Sequence, residues 1–143
     1  MRLPAPKKKR VTPVLRFDAA VVTSGERVLL ARRPENGLYA GMWEPPLFSV
    51  DDDLPVFLSS CFKGAVERQR ADGFRHVLTH RTMEIDVGLY VVPRAKKRVA
   101  PPSPYVETRW FDFAALEQGR DVALSRLARK SLESALKLTA PED

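Results

Sequence analysis

The chain has 143 residues, 44% of them hydrophobic, and this length suits one globular core rather than two domains. Apolar runs fall well short of the roughly 18 residues of a membrane helix, and the N-terminus lacks the apolar segment of a secretory signal. A net charge of +6 favours a polyanionic partner such as nucleic acid. We therefore expect a soluble, cytoplasmic, nucleoid-associated protein with no membrane partner.

Residues 1–12 form the first predicted unit, a basic linker. They contain two prolines and a run of four basic residues but almost no apolar side chains, so they cannot bury surface. We predict a mobile tether that also touches phosphates, although a nuclear-import signal has the same composition. The predicted boundaries are this linker at 1–12, one domain at 13–139 and a tail at 140–143.

Two β-strands are predicted next, at residues 15–22 and 27–33, because both stretches are rich in aliphatic and β-branched side chains. Residues 24–26, Ser-Gly-Glu, separate the two stretches and predict a hairpin turn. The chain is predicted to turn again at residues 34–37, Pro-Glu-Asn-Gly.

An amphipathic helix is predicted from Leu54, with apolar residues at helical spacing through Val66 and an end near Asp72-Gly73. Cys61 lies on its apolar face and is the single cysteine of the chain. One thiol can form neither an internal disulfide nor a zinc or iron–sulfur site, so its expected role is core packing.

Strands and helices are mixed in the second half of the chain. Residues 83–91 alternate apolar and polar side chains, which predicts a strand with one face on the core. A basic, proline-rich loop at 94–104 precedes a strand at 106–111, a short helix that Asp112 can cap, and a last amphipathic helix at 124–136. This order predicts an α+β fold, a mixed β-sheet flanked by helices.

His76 and His80 flank Val77-Leu78-Thr79, immediately before the clearest predicted strand. On a helix, histidines four residues apart can share a metal ion. The neighbouring side chains predict extended chain instead, in which this spacing has no special ligand geometry, and we predict no metal site. From the residues alone, we expect Thr79 and His80 to lie at the end of a strand and to form hydrogen bonds with its backbone.

Residues 28–46, Val-Leu-Leu-Ala-Arg-Arg-Pro-Glu-Asn-Gly-Leu-Tyr-Ala-Gly-Met-Trp-Glu-Pro-Pro, resemble the opening segment of a Nudix fold. Trp43 and Pro46 match its Trp-x-x-Pro element, which implies a Nudix-like fold with Trp43 in the core. A Nudix hydrolase continues with a Gly-Gly turn and an Arg-Glu-x-x-Glu-Glu helix whose carboxylates hold magnesium. Here residues 47–53 follow instead, and the predicted helix offers only Glu67. The resemblance therefore implies a binding module without a metal site or catalytic residues.

The segment His76-Val77-Leu78-Thr79-His80 is similar to the His-x-Phe-Ser-His segment in the C-terminal domain of MutY adenine DNA glycosylases. In that family the serine lies against the Hoogsteen edge of 8-oxoguanine, so the resemblance implies that Thr79 supplies the hydroxyl here. Leu78 replaces an aromatic residue, which implies a weaker aliphatic contact with the bases. The lesion and DNA-binding residues that it implies are Leu78, Thr79, His80, His76 and Arg81.

MutY proteins carry their catalytic residues and their iron–sulfur cluster in a helix-hairpin-helix glycosylase domain, which has no counterpart in this sequence. We therefore expect no cofactor in this chain and no catalysis by the chain alone. The expected partners are duplex DNA containing 8-oxoguanine opposite adenine and a glycosylase domain in cis or in trans. The chain is expected to be either an excised C-terminal domain or a stand-alone relative.

Basic residues outside this segment are candidates for contacts with DNA phosphates. For Arg32 and Arg33, an equally good interpretation is that they have a structural role at the edge of the sheet. The full set of candidates is Lys7, Lys8, Lys9, Arg10, Arg32, Arg33, Lys96, Lys97, Arg126, Arg129 and Lys130.

Two alternative functions stay open at this point. One is a divergent Nudix hydrolase that acts on oxidised nucleoside triphosphates, with metal ligands drawn from Asp51, Asp52, Asp53 and Glu67. The other is a Nudix-like domain that senses a free nucleotide. Two properties distinguish these functions from DNA lesion recognition: whether activity depends on a metal ion, and whether the preferred ligand is a free nucleotide or a DNA duplex.

Overall fold

The computed structural model describes residues 13–49, 51, 53–62, 67–94, 98–118 and 122–136. The predictions on the linker at 1–12, including Lys7 to Arg10, and on the tail at 140–143 lie outside the described residues. Those on Lys96, Lys97 and Asp52 lie outside them as well.

Within the described residues, the fold contains seven β-strands and three α-helices. In chain order they are β1 (Val14–Ser24), β2 (Arg27–Arg32), β3 (Trp43–Glu44), β4 (Leu47–Phe48), α1 (Asp53–Cys61), β5 (Glu67–Leu78), β6 (Arg81–Val91), β7 (Glu107–Asp112), α2 (Phe113–Gln118) and α3 (Arg126–Leu136). The strands form one sheet in the order β3-β2-β1-β6-β5, with β4 also paired to β1 and β7 to β2. β1 and β6 run parallel and the other strand pairs are antiparallel, which confirms the predicted mixed sheet.

The central strands bury side chains on both faces of the sheet. Val21 of β1 belongs to a hydrophobic cluster with Leu127 of α3, here called the α3-side cluster. The next residue, Val22, belongs to a second cluster with Phe57 and Cys61 of α1, the α1-side cluster. Successive side chains of a strand point to opposite faces, so the two clusters lie on opposite sides of the sheet. Burial on both faces explains why these strands are continuous aliphatic runs in the sequence.

The hairpin predicted between the first two strands is confirmed. Ser24 pairs with Arg27, so Gly25 and Glu26 form the turn. Gly25 has a φ of +59°, a left-handed conformation that glycine adopts without steric cost.

The predicted helix that begins at Leu54 is confirmed as far as Cys61, its continuation through residues 67–72 is wrong, and the part at residues 63–66 lies outside the described residues. Residues 67–78 form β5 and pair antiparallel with β6. A register shift between Ala71 and Phe74 interrupts the alternation of the strand, and this irregularity hides the strand pattern in the sequence. Helix propensity is a weak local preference, which the hydrogen bonds of the ladder and burial against β6 outweigh.

The two C-terminal helices begin close to their predicted positions. α2 follows Asp112 directly, as predicted. α3 begins at Arg126, slightly after the predicted start at Leu124, because Ser125 caps the helix: its Oγ accepts a hydrogen bond from the Ala128 N–H at 3.1 Å. Among the helices of the described chain, none is long and apolar enough to cross a membrane.

Candidate functional site

The β5–β6 hairpin carries the segment that resembles the lesion-reading segment of MutY. β5 ends at Leu78 and β6 begins at Arg81, so Thr79 and His80 form the turn between them. Thr79, His80 and Arg81 are exposed, whereas Leu78 is half-buried and packs against the α3-side cluster. The four residues Leu78 to Arg81, here called the hairpin tip, bring three of the predicted binding residues to the surface together.

An open depression of about 500 Å³ lies against the hairpin tip. Gly37 and Leu38, from the loop between β2 and β3, form its other wall. Leu38 is 39% exposed, so an apolar side chain and the polar Thr79 line the same depression.

The loop that carries Leu38 runs from Pro34 to Met42 and is here called the β2–β3 loop. Its own backbone closes it, because the Gly41 N–H donates to the Pro34 carbonyl at 2.9 Å and the Met42 N–H donates to the Tyr39 carbonyl at 3.0 Å. Tyr39 has a φ of +53°, the one positive value of a non-glycine residue in the described chain. A bulky side chain takes up this conformation only where its surroundings hold it there.

His76 supports the hairpin from inside rather than facing solvent. Its side chain is buried, with 7% of the residue exposed, and the Tyr39 hydroxyl lies 2.6 Å from its Nε2. A neutral imidazole accepts this hydrogen bond at Nε2 while the tyrosine donates. Burial lowers the pKa of His76, and the nearby positive charges of Lys130 and Arg126 lower it further.

We expect the free energy of unfolding to fall as the pH drops below about 6.5, the ordinary pKa of histidine. In that range the unfolded chain binds a proton at His76 that the folded chain resists, so the unfolded state gains stability until the lowered pKa of the folded state is reached. Chemical denaturation between pH 5 and 8 measures this dependence. His76→Gln removes the titrating group and keeps an acceptor for Tyr39, so its pH profile should be flatter than that of the wild type. Identical profiles would contradict the buried neutral imidazole.

The fully buried Glu44 carboxylate anchors an ionic network that the sequence patterns did not predict. Its carboxylate is 0% exposed and accepts two hydrogen bonds from the Arg33 guanidinium, at 2.5 and 3.1 Å. The Tyr105 hydroxyl donates to the same carboxylate at 2.8 Å and accepts from the Leu47 N–H at 2.9 Å. Burial and the charge of Glu44 raise the pKa of Tyr105 well above its ordinary value, so this hydroxyl keeps its proton. A signal was available: a charged residue beside the core residue Trp43 needs a buried partner.

Arg32 is also held by carboxylates of its own chain. It contacts Glu35 at 2.8 Å and Glu107 at 3.3 Å. Together with the pairing of Arg33 to buried Glu44, these contacts favour a structural role for both arginines over phosphate binding, although β2 is an interior strand and not an edge of the sheet. Trp43 is 9% exposed and packs edge-on against Phe111, as its predicted core position requires.

The basic residues of α3 divide between two sides of the helix. Lys130 Nζ lies 5.6 Å from the ring centroid of Phe74 on β5, and the charges of Lys130 and Arg126 both act on His76. Arg129 instead lines a groove between α2 and α3. The side of α3 that carries Arg126 and Lys130 therefore faces the strand that leads to the hairpin tip.

Of the residues in the hydrolase alternative, Asp53 and Glu67 lie on separate elements. α1 carries only Asp53, and Glu67 begins β5, so its predicted place on the helix is wrong. Among the described residues, no three His, Cys, Asp or Glu side chains lie close enough to hold a metal ion. Magnesium requires several oxygen ligands in near-octahedral geometry, and the described residues do not fit such a site.

A mixed sheet with helices on both faces and a Trp43-containing edge defines a Nudix-like α+β domain. The NUDIX domain family matches residues 18–134, and the chain belongs to this family. An adenine DNA glycosylase from Arabidopsis thaliana is similar to the chain, with 32% identity over 87 residues. The match covers 48% of this chain, and the chain spans only 14% of the length of that relative.

Several solved structures share the fold. The C-terminal domain of mouse MUTYH, in complex with human PCNA, matches with a TM-score of 0.61 and 19% identity, over 90% of this chain and 92% of that chain. The NUDIX domain of Shewanella oneidensis NrtR complexed with ADP ribose gives 0.66 and 14%, over 90% of each chain. A MutT protein from Methanosarcina mazei Go1 gives 0.66 and 17%, over 92% of this chain and 99% of that chain. At these identities the likeness shows the fold alone.

Proposed function

We propose that this domain binds duplex DNA and reads 8-oxoguanine opposite adenine, in support of base excision repair by a glycosylase domain in cis or in trans. The observation that carries the proposal is the exposed turn at Thr79, which presents a hydroxyl residue beside an open depression. The similarity to an adenine DNA glycosylase supports it. The proposal requires no metal ion or cofactor in this chain.

A hydroxyl group can distinguish 8-oxoguanine from guanine by its hydrogen bonds. Guanine presents an acceptor at N7, whereas 8-oxoguanine presents an N7–H donor and an O8 acceptor there. The Thr79 hydroxyl can accept a hydrogen bond from the lesion's N7–H and donate one to O8, whereas guanine offers it only the N7 acceptor, so the lesion can form one additional hydrogen bond. Thr79 therefore supplies specificity, and basic residues such as Arg81, Arg126 and Lys130 supply general affinity through phosphates.

Thr79→Val is expected to reduce the discrimination between 8-oxoguanine and guanine by about 0.5 to 1.5 kcal/mol, the range for one lost hydrogen bond. Valine keeps the shape of threonine but cannot accept the lesion's N7–H. Binding to undamaged duplex should stay nearly unchanged, since phosphate contacts carry that affinity. Competitive binding to matched duplexes with 8-oxoguanine or guanine opposite adenine measures both quantities.

Thr79→Ser is the matched control, because serine keeps the hydroxyl and should keep the preference. His80→Ala tests the neighbouring exposed residue of the turn in the same assay. An unchanged preference in both Thr79→Val and His80→Ala would remove the hairpin tip as the lesion reader.

The hydrolase alternative predicts metal-dependent release of phosphate from 8-oxo-dGTP, and we expect none. The single carboxylate of α1 cannot by itself hold magnesium in near-octahedral geometry. Incubation with magnesium and 8-oxo-dGTP, followed by phosphate measurement, tests this expectation. Turnover at even about 0.1 per second, below the usual range of enzymes, would contradict the proposed binding function.

The nucleotide-sensing alternative is favoured by a second cavity of about 220 Å³ between Leu38, Arg81 and the loop around Pro104. A cavity of this size accepts a free base. A nucleotide sensor prefers a free nucleotide, whereas the proposed lesion-recognition domain prefers a DNA duplex. Addition of free 8-oxo-dGMP would therefore release bound duplex from a sensor, and the proposed lesion-recognition domain would retain it.

A further inference from the structure

We propose that Leu38 is the apolar contact that shields the lesion edge, and that Tyr39 is the positioning residue that holds Leu38 opposite the hairpin tip. This inference rests on the proposed function and adds a second element to the site, the β2–β3 loop. The family resemblance implies the apolar contact at Leu78, and Leu38 lies 40 positions earlier in the chain.

The burial of the two leucines distinguishes their roles. Leu78 is half-buried and packs against the α3-side cluster, so much of its apolar surface is already covered. Both leucines line the depression together with Thr79, but Leu38 is 39% exposed. Of these two residues, Leu38 has more apolar surface left to cover a base.

An apolar wall strengthens the discrimination that Thr79 provides. While water fills the depression, water molecules compete with the lesion's N7–H for the Thr79 hydroxyl. Leu38 lines the same depression, so a base edge bound there loses water on the side of the leucine. Exclusion of water makes a missing hydrogen bond more costly, and guanine, which offers the hydroxyl one partner fewer than the lesion does, then binds less well.

Tyr39 links the β2–β3 loop to the hairpin. It is adjacent to Leu38 in the chain, and its hydroxyl lies 2.6 Å from His76 Nε2 on β5. Its left-handed backbone, with a φ of +53°, turns the chain at this residue. The backbone bonds of Gly41 and Met42 close the rest of the loop, so the contact with His76 fixes where Leu38 lies relative to Thr79.

Leu38→Ala is expected to lower the preference for 8-oxoguanine over guanine about threefold, because water then reaches the depression and competes with the hydrogen bond on which the discrimination depends. Affinity for undamaged duplex should change by less than about twofold, because phosphates carry it. The control is Val77→Ala: Val77 is 70% exposed on the same hairpin but does not line the depression. The full chain and matched duplexes are used in competition.

Tyr39→Phe tests the positioning role, because it removes only the hydroxyl that contacts His76. It should lower the lesion preference in the same direction as Leu38→Ala, with little change for undamaged duplex. His76→Gln keeps an acceptor and should retain more of the preference than His76→Ala. A merely structural role would lower the thermal stability of these variants and leave the ratio of the two affinities unchanged.

The outcomes separate this inference from the proposed function. A wild type that prefers the lesion, with Leu38→Ala and Tyr39→Phe keeping the full preference, would overturn the inference and leave the function standing. A loss in Val77→Ala equal to that in Leu38→Ala would also overturn it, because the effect would then not belong to the depression. A wild type without any preference would overturn both.

Discussion

Glu44→Ala is expected to lower the free energy of unfolding by about 3 to 5 kcal/mol, the typical loss when one partner of a buried ion pair is removed. Glu44 is fully buried, and its carboxylate is bonded to both Arg33 and Tyr105. Without it, the Arg33 guanidinium, whose side chain is only 16% exposed, loses its carboxylate partner and the buried Tyr105 hydroxyl loses its acceptor. Chemical denaturation monitored by tryptophan fluorescence measures the loss.

Glu35→Ala is the matched control, because Glu35 also pairs with an arginine but its side chain is 81% exposed. Surface pairs of this kind contribute at most about 1 kcal/mol, since water screens them and holding the side chains costs entropy. Equal losses in the two variants would mean that the Arg33–Glu44 pair is no more important for stability than a surface contact.

DNA affinity is expected to fall roughly 60- to 250-fold between about 50 and 200 mM salt. Contacts to about three to five phosphates release condensed counterions, which gives a slope of log affinity against log salt near −3 to −4. The net charge of +6 and the basic side of α3 supply the cations. Fluorescence anisotropy with an undamaged duplex over a salt series gives the slope directly.

Arg126→Gln and Lys130→Gln should each lower the steepness of that slope by about 1, because both residues lie on the side of α3 that faces β5. Arg129→Gln is the matched control, because it removes the same charge from a residue that lines the groove towards α2. An affinity independent of salt would remove nucleic acid as the partner. Equal effects of the three variants would show that only net charge matters.

Strands of regular pattern could be predicted from the sequence, and β5 could not. The aliphatic runs of β1 and β2 and the alternation of β6 each carry their own signal, so these strands and the first hairpin were predicted close to their true bounds. In β5, the register shift between Ala71 and Phe74 removes the period of two, and the strand is defined by its pairing with β6. Local patterns do not encode such pairing.

The candidate site was predictable only in the part that lies in one segment. Thr79 and His80 were found because they follow each other within a recognisable motif. The contact of Tyr39 with His76 joins residues 37 apart, and that of Glu44 with Tyr105 joins residues 61 apart. Such contacts depend on the register of the sheet, so the burial of His76 and the role of the β2–β3 loop required the structure.

The preference of the wild-type chain for duplex containing 8-oxoguanine opposite adenine, against the same duplex with guanine, tests the proposed function most directly. Competition binding at low salt, with a separately supplied glycosylase domain where the chain alone binds weakly, measures it. A hydroxyl that accepts one additional hydrogen bond from the lesion predicts a preference of roughly two- to twelvefold, which Thr79→Val abolishes. Equal binding of the two duplexes by the wild type would contradict lesion recognition by this domain.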